Sequence, residues 1–238
     1  IESEHLALVP IPDAPKEIKE KINTLITMSY KLRDQSNEMI DEATSLFIRE
    51  LRLPDVTAFC EQEQGSVNTF SIRLSEIDLR VDASYHIPEV DKLVNHMKKY
   101  ADEITTIGDE RISNKIVLAG VFKRTYVDEE YGYPFLGGQE ITQLSPVTEK
   151  YLSKPIHKAR YEKELKVVEN TILVSDRGTI GTVALVPKHW DGYAVSQNVL
   201  KVIPASDEIA GYAYIYLNSD YGKMLVRRQT YGSVVDMI

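Results

Sequence analysis

Between Pro15 and Leu51, apolar or small residues recur at Ile18, Ile22, Leu25, Ser29, Leu32, Ser36, Met39, Ala43 and Leu46, in alternating steps of four and three. Such spacing holds one stripe on one side of a single long helix, a heptad seam. One row of the seam is bulky (Ile18, Leu25, Leu32, Met39, Leu46), while the other shrinks from Ile22 to Ser29, Ser36 and Ala43. Small residues in one row let a partner backbone come close. Ile26, Ile40 and Phe47 widen the stripe, so the helix is expected to meet more than one neighbour. Pro15 suits a first helical turn, and Pro54 lies just beyond the end. At about 1.5 Å per residue the helix spans roughly 50 Å, longer than a small domain is wide. The seam therefore predicts a spacer over residues 15–52 that pairs with another long helix; the competing reading folds the helix back on its own domain.

The 238 residues are 43% hydrophobic and 27% charged, ordinary for a globular chain with room for one large or two small domains. No apolar run approaches a membrane span and no signal peptide is visible, so no membrane contact is expected. A single cysteine, Cys60, argues against a disulfide framework and suits a reducing cytoplasm. His5, His86, His96, His157 and His189 are dispersed, which makes a structural metal improbable. The formal charge of −8 is uneven: residues 1–110 hold 12 Lys and Arg against 22 Asp and Glu, a balance of −10, whereas residues 111–238 hold 16 against 14, a balance of +2. A polyanion is better tolerated by the second part.

In chain order, HLALVPIP reads as a short strand ended by Pro10 and Pro12. Leu53 to Ser75, with turn residues Gly65, Ser66 and Asn68, reads as a linker or domain edge. Pro88 opens a helix through Tyr100 with Val90, Leu93, Val94 and Met97 on one face. From Lys115 the pattern turns extended in KIVLAGVFKRTYV, and Gly137 and Gly138 are expected to take conformations closed to other residues. Ser145 to Lys166 reads as a loop and a basic helix. NTILVSD and TVALVPKHW are strands joined at Arg177-Gly178, and Asp191-Gly192 is read as a hairpin turn into the strand YAVSQNVLKVIP. Ser206 and Ser219 are expected to cap two short helices, the second ending at Arg228.

Enzyme signatures are mostly absent: no phosphate loop, no G-x-G-x-x-G, no H-E-x-x-H and no G-x-S-x-G. Pro12-Asp13 with Glu17 and Lys19 imitates a nuclease metal motif but reads as helix-start acids. Glu164 and Lys166 share that spacing and read as surface charges. What remains suits an anion. Ser175 to Thr182 places Arg177 and Thr179 in a Gly-rich bend whose backbone amides could meet phosphate, although the sequence alone favours a plain hairpin whose glycines only shape the turn. Lys123 and Arg124 beside Tyr126, Gln197 and Asn198 in a strand, and Arg227 and Arg228 near Tyr231 carry the side chains that read base edges and hold phosphates.

RVDASYHIP (80–88), FKRTYVDEEYGYPFLGGQEI, ENTILVSDRGTIGTVALVPKHWDGYAVSQNVLKVIP and TYGSVVDMI, in that order, resemble the DNA-specificity subunits of type I restriction–modification systems. HLALVPIP followed by a long helix resembles the spacer that leaves a recognition domain in that family. Asp176 departs from the resemblance, since many members carry another basic or small residue there.

The resemblance implies one repeat of a two-repeat protein: residues 1–14 the tail of a preceding recognition domain, 15–52 the spacer, 53–238 the DNA target-recognition domain. The implied fold is α+β or mixed α/β, a globule with a mixed β-sheet on a long antiparallel coiled-coil spacer helix. The implied role is to read one half of a bipartite site on double-stranded DNA, without catalysis or a cofactor in this chain. Methyltransferase (modification) subunits that use S-adenosylmethionine, and a restriction subunit, are the implied partners, and antiparallel self-association through the spacer is expected. The DNA-contact candidates are Lys123, Arg124, Arg177, Thr179, Gln197, Asn198, Arg227, Arg228 and Tyr231. A recognition-and-spacer part of a fused methyltransferase–endonuclease and a coiled-coil dimeriser without a DNA role are the alternatives.

Overall fold

Runs of β-branched residues between Lys115 and Pro204 and two helical stretches on either side of them set the layout of the computed structural model, which describes residues 3–60, 69–77, 80–143, 145–146 and 148–231. The expected turn at Gly65, Ser66 and Asn68 and most of TYGSVVDMI lie outside the described residues. The chain divides into two compact units, 1–45 and 46–238.

In the first unit, Ser3–Ala7 is a short helix (α1), where the sequence suggested a strand. A strand needs a ladder partner for its backbone groups, whereas a turn satisfies them locally, as Leu8 N–H to His5 O (3.3 Å) and Val9 N–H to Leu6 O (3.2 Å) do here. Helix α2 runs from Lys16 to Glu50, 35 residues. Ile18, Ile22, Leu25, Leu32, Met39 and Leu46 of its seam are 47–69% exposed, so the stripe lies open along the helix.

The second unit opens on the last turn of α2, where Phe47 is buried edge-on to Tyr212 and Tyr216 at 6.4 and 5.9 Å. Pro88–Tyr100 forms α3, burying Val90, Leu93 and Met97 as the spacing predicts. Among the described residues eight strands follow: β1 Ser113–Val117, β2 Tyr126–Val127, β3 Gly132–Leu136, β4 Tyr151–Ser153, β5 Ile172–Ser175, β6 Val183–Leu185, β7 Ala194–Val195 and β8 Val199–Pro204. They make two sheets: β1-β8-β5-β6, antiparallel throughout, and β2-β4-β3-β7, in which β3 and β7 run parallel. The mixed helix-and-sheet class and the long helix agree with expectation. β5 is buried at all four positions, which fits its unbroken apolar run, covered on both faces. One core joins the sheets through Leu136, Leu173, Trp190, Val195 and Val199; another lies between the β5 sheet and α5 (Asp207–Asn218) through Ile172, Val202, Ala213 and Leu217.

The connection Asp191-Gly192 is a turn, with Gly192 at φ +82°, but not a hairpin: it leads from β6 of one sheet to β7 of the other. The predicted strand YAVSQNVLKVIP is accordingly broken, with Gln197 and Asn198 in a turn between β7 and β8. Gly137 and Gly138 take no left-handed conformation; at Gly137 the space beside the backbone is filled by Glu140, whose carboxylate accepts its N–H at 3.0 Å. The basic interval forms α4 (Lys154–Arg160) and a π-helical turn (Tyr161–Leu165). Helix α6 spans Asp220–Arg228, with the Ser219 hydroxyl accepting the Gly222 N–H at 3.1 Å, whereas Ser206 precedes α5 without a side-chain cap bond.

Candidate nucleic-acid interface

Both sheets deliver chain segments to one place. The β3–β7 ladder is extended by Ser196 N–H to Leu136 O at 2.9 Å, and the next two residues are Gln197 and Asn198. Asn198 O then accepts the Asp176 N–H at 2.9 Å, beyond the Ser175–Val199 register of β5 and β8. The turn carrying Gln197 and Asn198 and the bend carrying Arg177 and Thr179 therefore lie side by side.

Arg124 joins them. Its Nη2 donates to Gln197 Oε1 at 2.6 Å, and its guanidinium lies 5.3 Å from the centre of the Phe135 ring. A guanidinium only donates, so the amide oxygen must face it, which leaves the Gln197 NH2 as an outward donor. Both residues are half-buried, which restricts the pair to few geometries.

The bend closes on itself. Gly178 and Gly181 sit at φ +78° and +77°, positions that strain any other residue. Gly181 N–H is donated to Ser175 O (3.2 Å) and Thr182 N–H to Thr179 O (3.1 Å), so these two amides stabilise the bend internally. The Ser175 hydroxyl donates to Arg177 O at 3.0 Å. Asp176, 1% exposed, accepts from Arg177 Nε at 3.1 Å. The departure from the family pattern thus has a local consequence: Asp176 orients Arg177 and offsets part of its charge. Thr179 is exposed beside it. A side chain added at Gly181 would lie 3.6 Å from Val226, which brings α6 against the bend.

The remaining candidates divide. Lys123 and Arg227 are exposed, Arg227 next to Val226. Arg228 is turned into the fold: it donates to Asp91 of α3 at 2.8 Å and lies 4.8 Å from the Tyr85 ring centre. Tyr85 is flanked by a second guanidinium, Arg80 at 4.5 Å. Arg80 forks to Asp82 (2.6 and 3.0 Å) and donates to Thr230 O at 2.7 Å; its hydrogen bonds to Asp82 hold that carboxyl down at about 2. Tyr231 is exposed beside that clasp. Arg228 and Tyr231 are thus grouped with Arg80 and Tyr85 rather than with Arg124.

Sequence reasoning passes over the groups that hold Lys123 and Arg124. Residues 118–125 form no regular element. Gly120 N–H donates to Glu164 (3.0 Å), Arg160 donates to Gly120 O (3.0 Å) and to Glu164 (3.2 Å), and Thr125 N–H donates to His157 Nε2 (3.1 Å). Glu164 is therefore not a free surface charge, as its spacing suggested, but part of a half-buried support. The signal available was the density of Lys, His and Arg from Lys150 to Lys166, which reads as basicity rather than as backbone anchoring. Among the described residues, no group of three or more His, Cys, Asp or Glu is placed to hold a metal ion, and no helix is long and apolar enough to cross a membrane.

Residues 119–234 match the family model of the type I restriction modification DNA specificity domain. No curated protein matches the chain. Among solved structures, the S subunit of a type I restriction-modification system from M. genitalium is similar at 15% identity and a TM-score of 0.32, over 54% of this chain and 29% of that one. This chain thus spans less than a third of that protein, a likeness too remote to add to the family match. The matched span takes in the segment of Lys123 and Arg124, the Arg177 bend, the Gln197–Asn198 turn and α6, so the similarity to the type I restriction modification DNA specificity domain covers each part of the candidate interface.

Proposed function

We propose that the second unit is a sequence-reading module for double-stranded DNA within a type I restriction–modification complex, taking one half of a bipartite target. The observation that supports this most is the Arg124–Gln197 bond, which joins a charged and an amide side chain from distant parts of the sequence. Paired donors of this kind match the N7 and O6 acceptors of guanine in the major groove. Arg177, Thr179 and Asn198 on adjoining turns are suited to phosphate and sugar, with Lys123 and Arg227 adding charge. Arg228 and Tyr231 contribute chiefly by holding α6.

On this reading the chain performs no chemistry. Methyl transfer from S-adenosylmethionine and cleavage belong to methyltransferase and restriction subunits, and α2 pairs with a second spacer helix.

The test is binding of the chain, reconstituted with type I modification subunits, to a pool of randomised duplexes at two salt concentrations. Arg124→Ala with Arg177→Ala should weaken binding by at least tenfold, lower the salt slope by about 1 for the phosphate-type contact of Arg177, and relax the base preference that Arg124 supports. Unchanged affinity and slope would remove both residues from the interface.

A further inference from the structure

Helix α4 and the π-helical turn after it look, in sequence, like a basic surface, yet three of their side chains, His157, Arg160 and Glu164, face a backbone. We propose that they form a clamp on residues 119–125, and that His157 is the positioning residue which sets Arg124 for its meeting with Gln197. The inference rests on the DNA reading above and adds a device that supports it.

The segment has no sheet partner of its own up to Thr125, so something else must satisfy its polar groups. Both of its ends are held. Gly120 is gripped at its N–H by Glu164 and at its carbonyl by Arg160. Thr125 gives its N–H to His157 Nε2, while its carbonyl accepts the Ser153 N–H at 3.0 Å. Between these ends Phe122 lies against the His157 ring (5.5 Å, edge-on) and the Arg160 guanidinium (4.9 Å). Lys123 and Arg124 follow directly, so their backbone course is fixed from one side.

His157 is 5% exposed and acts as an acceptor, which requires a neutral ring with its proton on Nδ1. Protonation would place an N–H against the Thr125 N–H and break the grip. Burial, and then the charge of Arg160, push the His157 pKa down, so the clamp is closed at neutral pH. The charged groups around it are Arg160 on the same helix and Glu164 on the π-helical turn, already engaged with Arg160 and Gly120. The held segment carries Lys123 and Arg124. Strand β4, packed on α4, contributes Tyr151, whose phenol is pushed up by burial and Glu129 and stays uncharged.

The consequence runs against simple electrostatics. Acid makes a protein more positive and tightens DNA binding in general; here acid should loosen it. Duplex affinity of the reconstituted chain is measured from pH 7.5 to 5, together with the protection factor of the Thr125 amide in the chain alone. Wild-type affinity should fall about tenfold relative to His157→Gln, whose neutral amide oxygen reaches the place of Nε2 and does not titrate. His157→Phe, which fills the space without an acceptor, should be weakened about tenfold at both ends of the range. Thr125 protection should drop on acidification in the wild type and not in His157→Gln. If wild type and His157→Gln respond to pH alike in both measurements, or if His157→Phe binds as wild type at pH 7.5, the positioning role is overturned. Absence of duplex binding by every variant would instead overturn the reading on which the proposal stands.

Discussion

Lys201 occupies the middle of β8 at 5% exposure, donating to Lys166 O at 2.7 Å. Burial, and then the nearby charge of Lys115, push its pKa down to about 8. Because the folded value lies below the ordinary 10.5, the unfolded chain binds more protons across that window, so folding stability rises with pH between about 8 and 10.5. Relative to Lys201→Met, the wild type should gain up to about 1.4 kcal/mol per pH unit there. Urea unfolding of both proteins at pH 7.5 and 9.5 measures the difference; a difference that does not change with pH would refute it. Lysine in an extended run reads from sequence as a solvent-facing residue, and only the second layer over β8 makes it otherwise. Arg124 and Gln197 show the same limit: each carries a legible chemistry, but they stand 73 positions apart and are brought together by a sheet in which the distant strands β3 and β7 pair. His157 and Glu164 were illegible for the opposite reason, since their partners are backbone groups that no side-chain pattern marks.

At the level of elements, local periodicity was a sound guide to several self-contained elements, though not to α1, where the sequence suggests a strand. The α3 face, the β5–β6 hairpin and α6 after Ser219 follow from spacing, turn residues and a cap. The other exceptions are parts settled by distant partners. Strand β7 departs from its neighbour in sequence to lie parallel to β3, and so breaks what looks like one long strand at Ser196. The π-helical turn likewise owes its form to packing: Tyr161 stacks on Tyr133 at 3.6 Å and donates its hydroxyl to Gly192 O at 2.6 Å. Gly222 marks the closest approach of α5 and α6, where a methyl group would overlap the Tyr216 carbonyl and come within 2.8 Å of the Leu217 Cα. Neither is the end of a flexible side chain, so Gly222→Ala should destabilise the second unit by about 3 kcal/mol. Thermal unfolding should show a matching drop in Tm, and a variant as stable as the wild type would contradict this packing.

For the whole molecule, the open seam of α2 is the feature that calls for a partner. Six large apolar side chains in a single stripe are rarely left to water along a helix of this length. The alternation of bulky and small rows favours close antiparallel pairing with a second such helix. The chain at high concentration should therefore form a two-fold dimer, and Leu25→Glu with Leu32→Glu should return it to monomer. Light scattering of both proteins tests this, and a wild type that stays monomeric at high concentration would count against it.

The clasp of Arg80 on Thr230 has a further consequence. Residues 150 positions apart in the chain are tied within one hydrogen bond, and Tyr85 between two guanidinium groups secures the junction. Residues 80–86 and 228–230 of the second unit thus meet at a common doorway. A fold tied in this way can change its internal loops while the junction keeps its place, so variation between the two ends leaves the frame undisturbed.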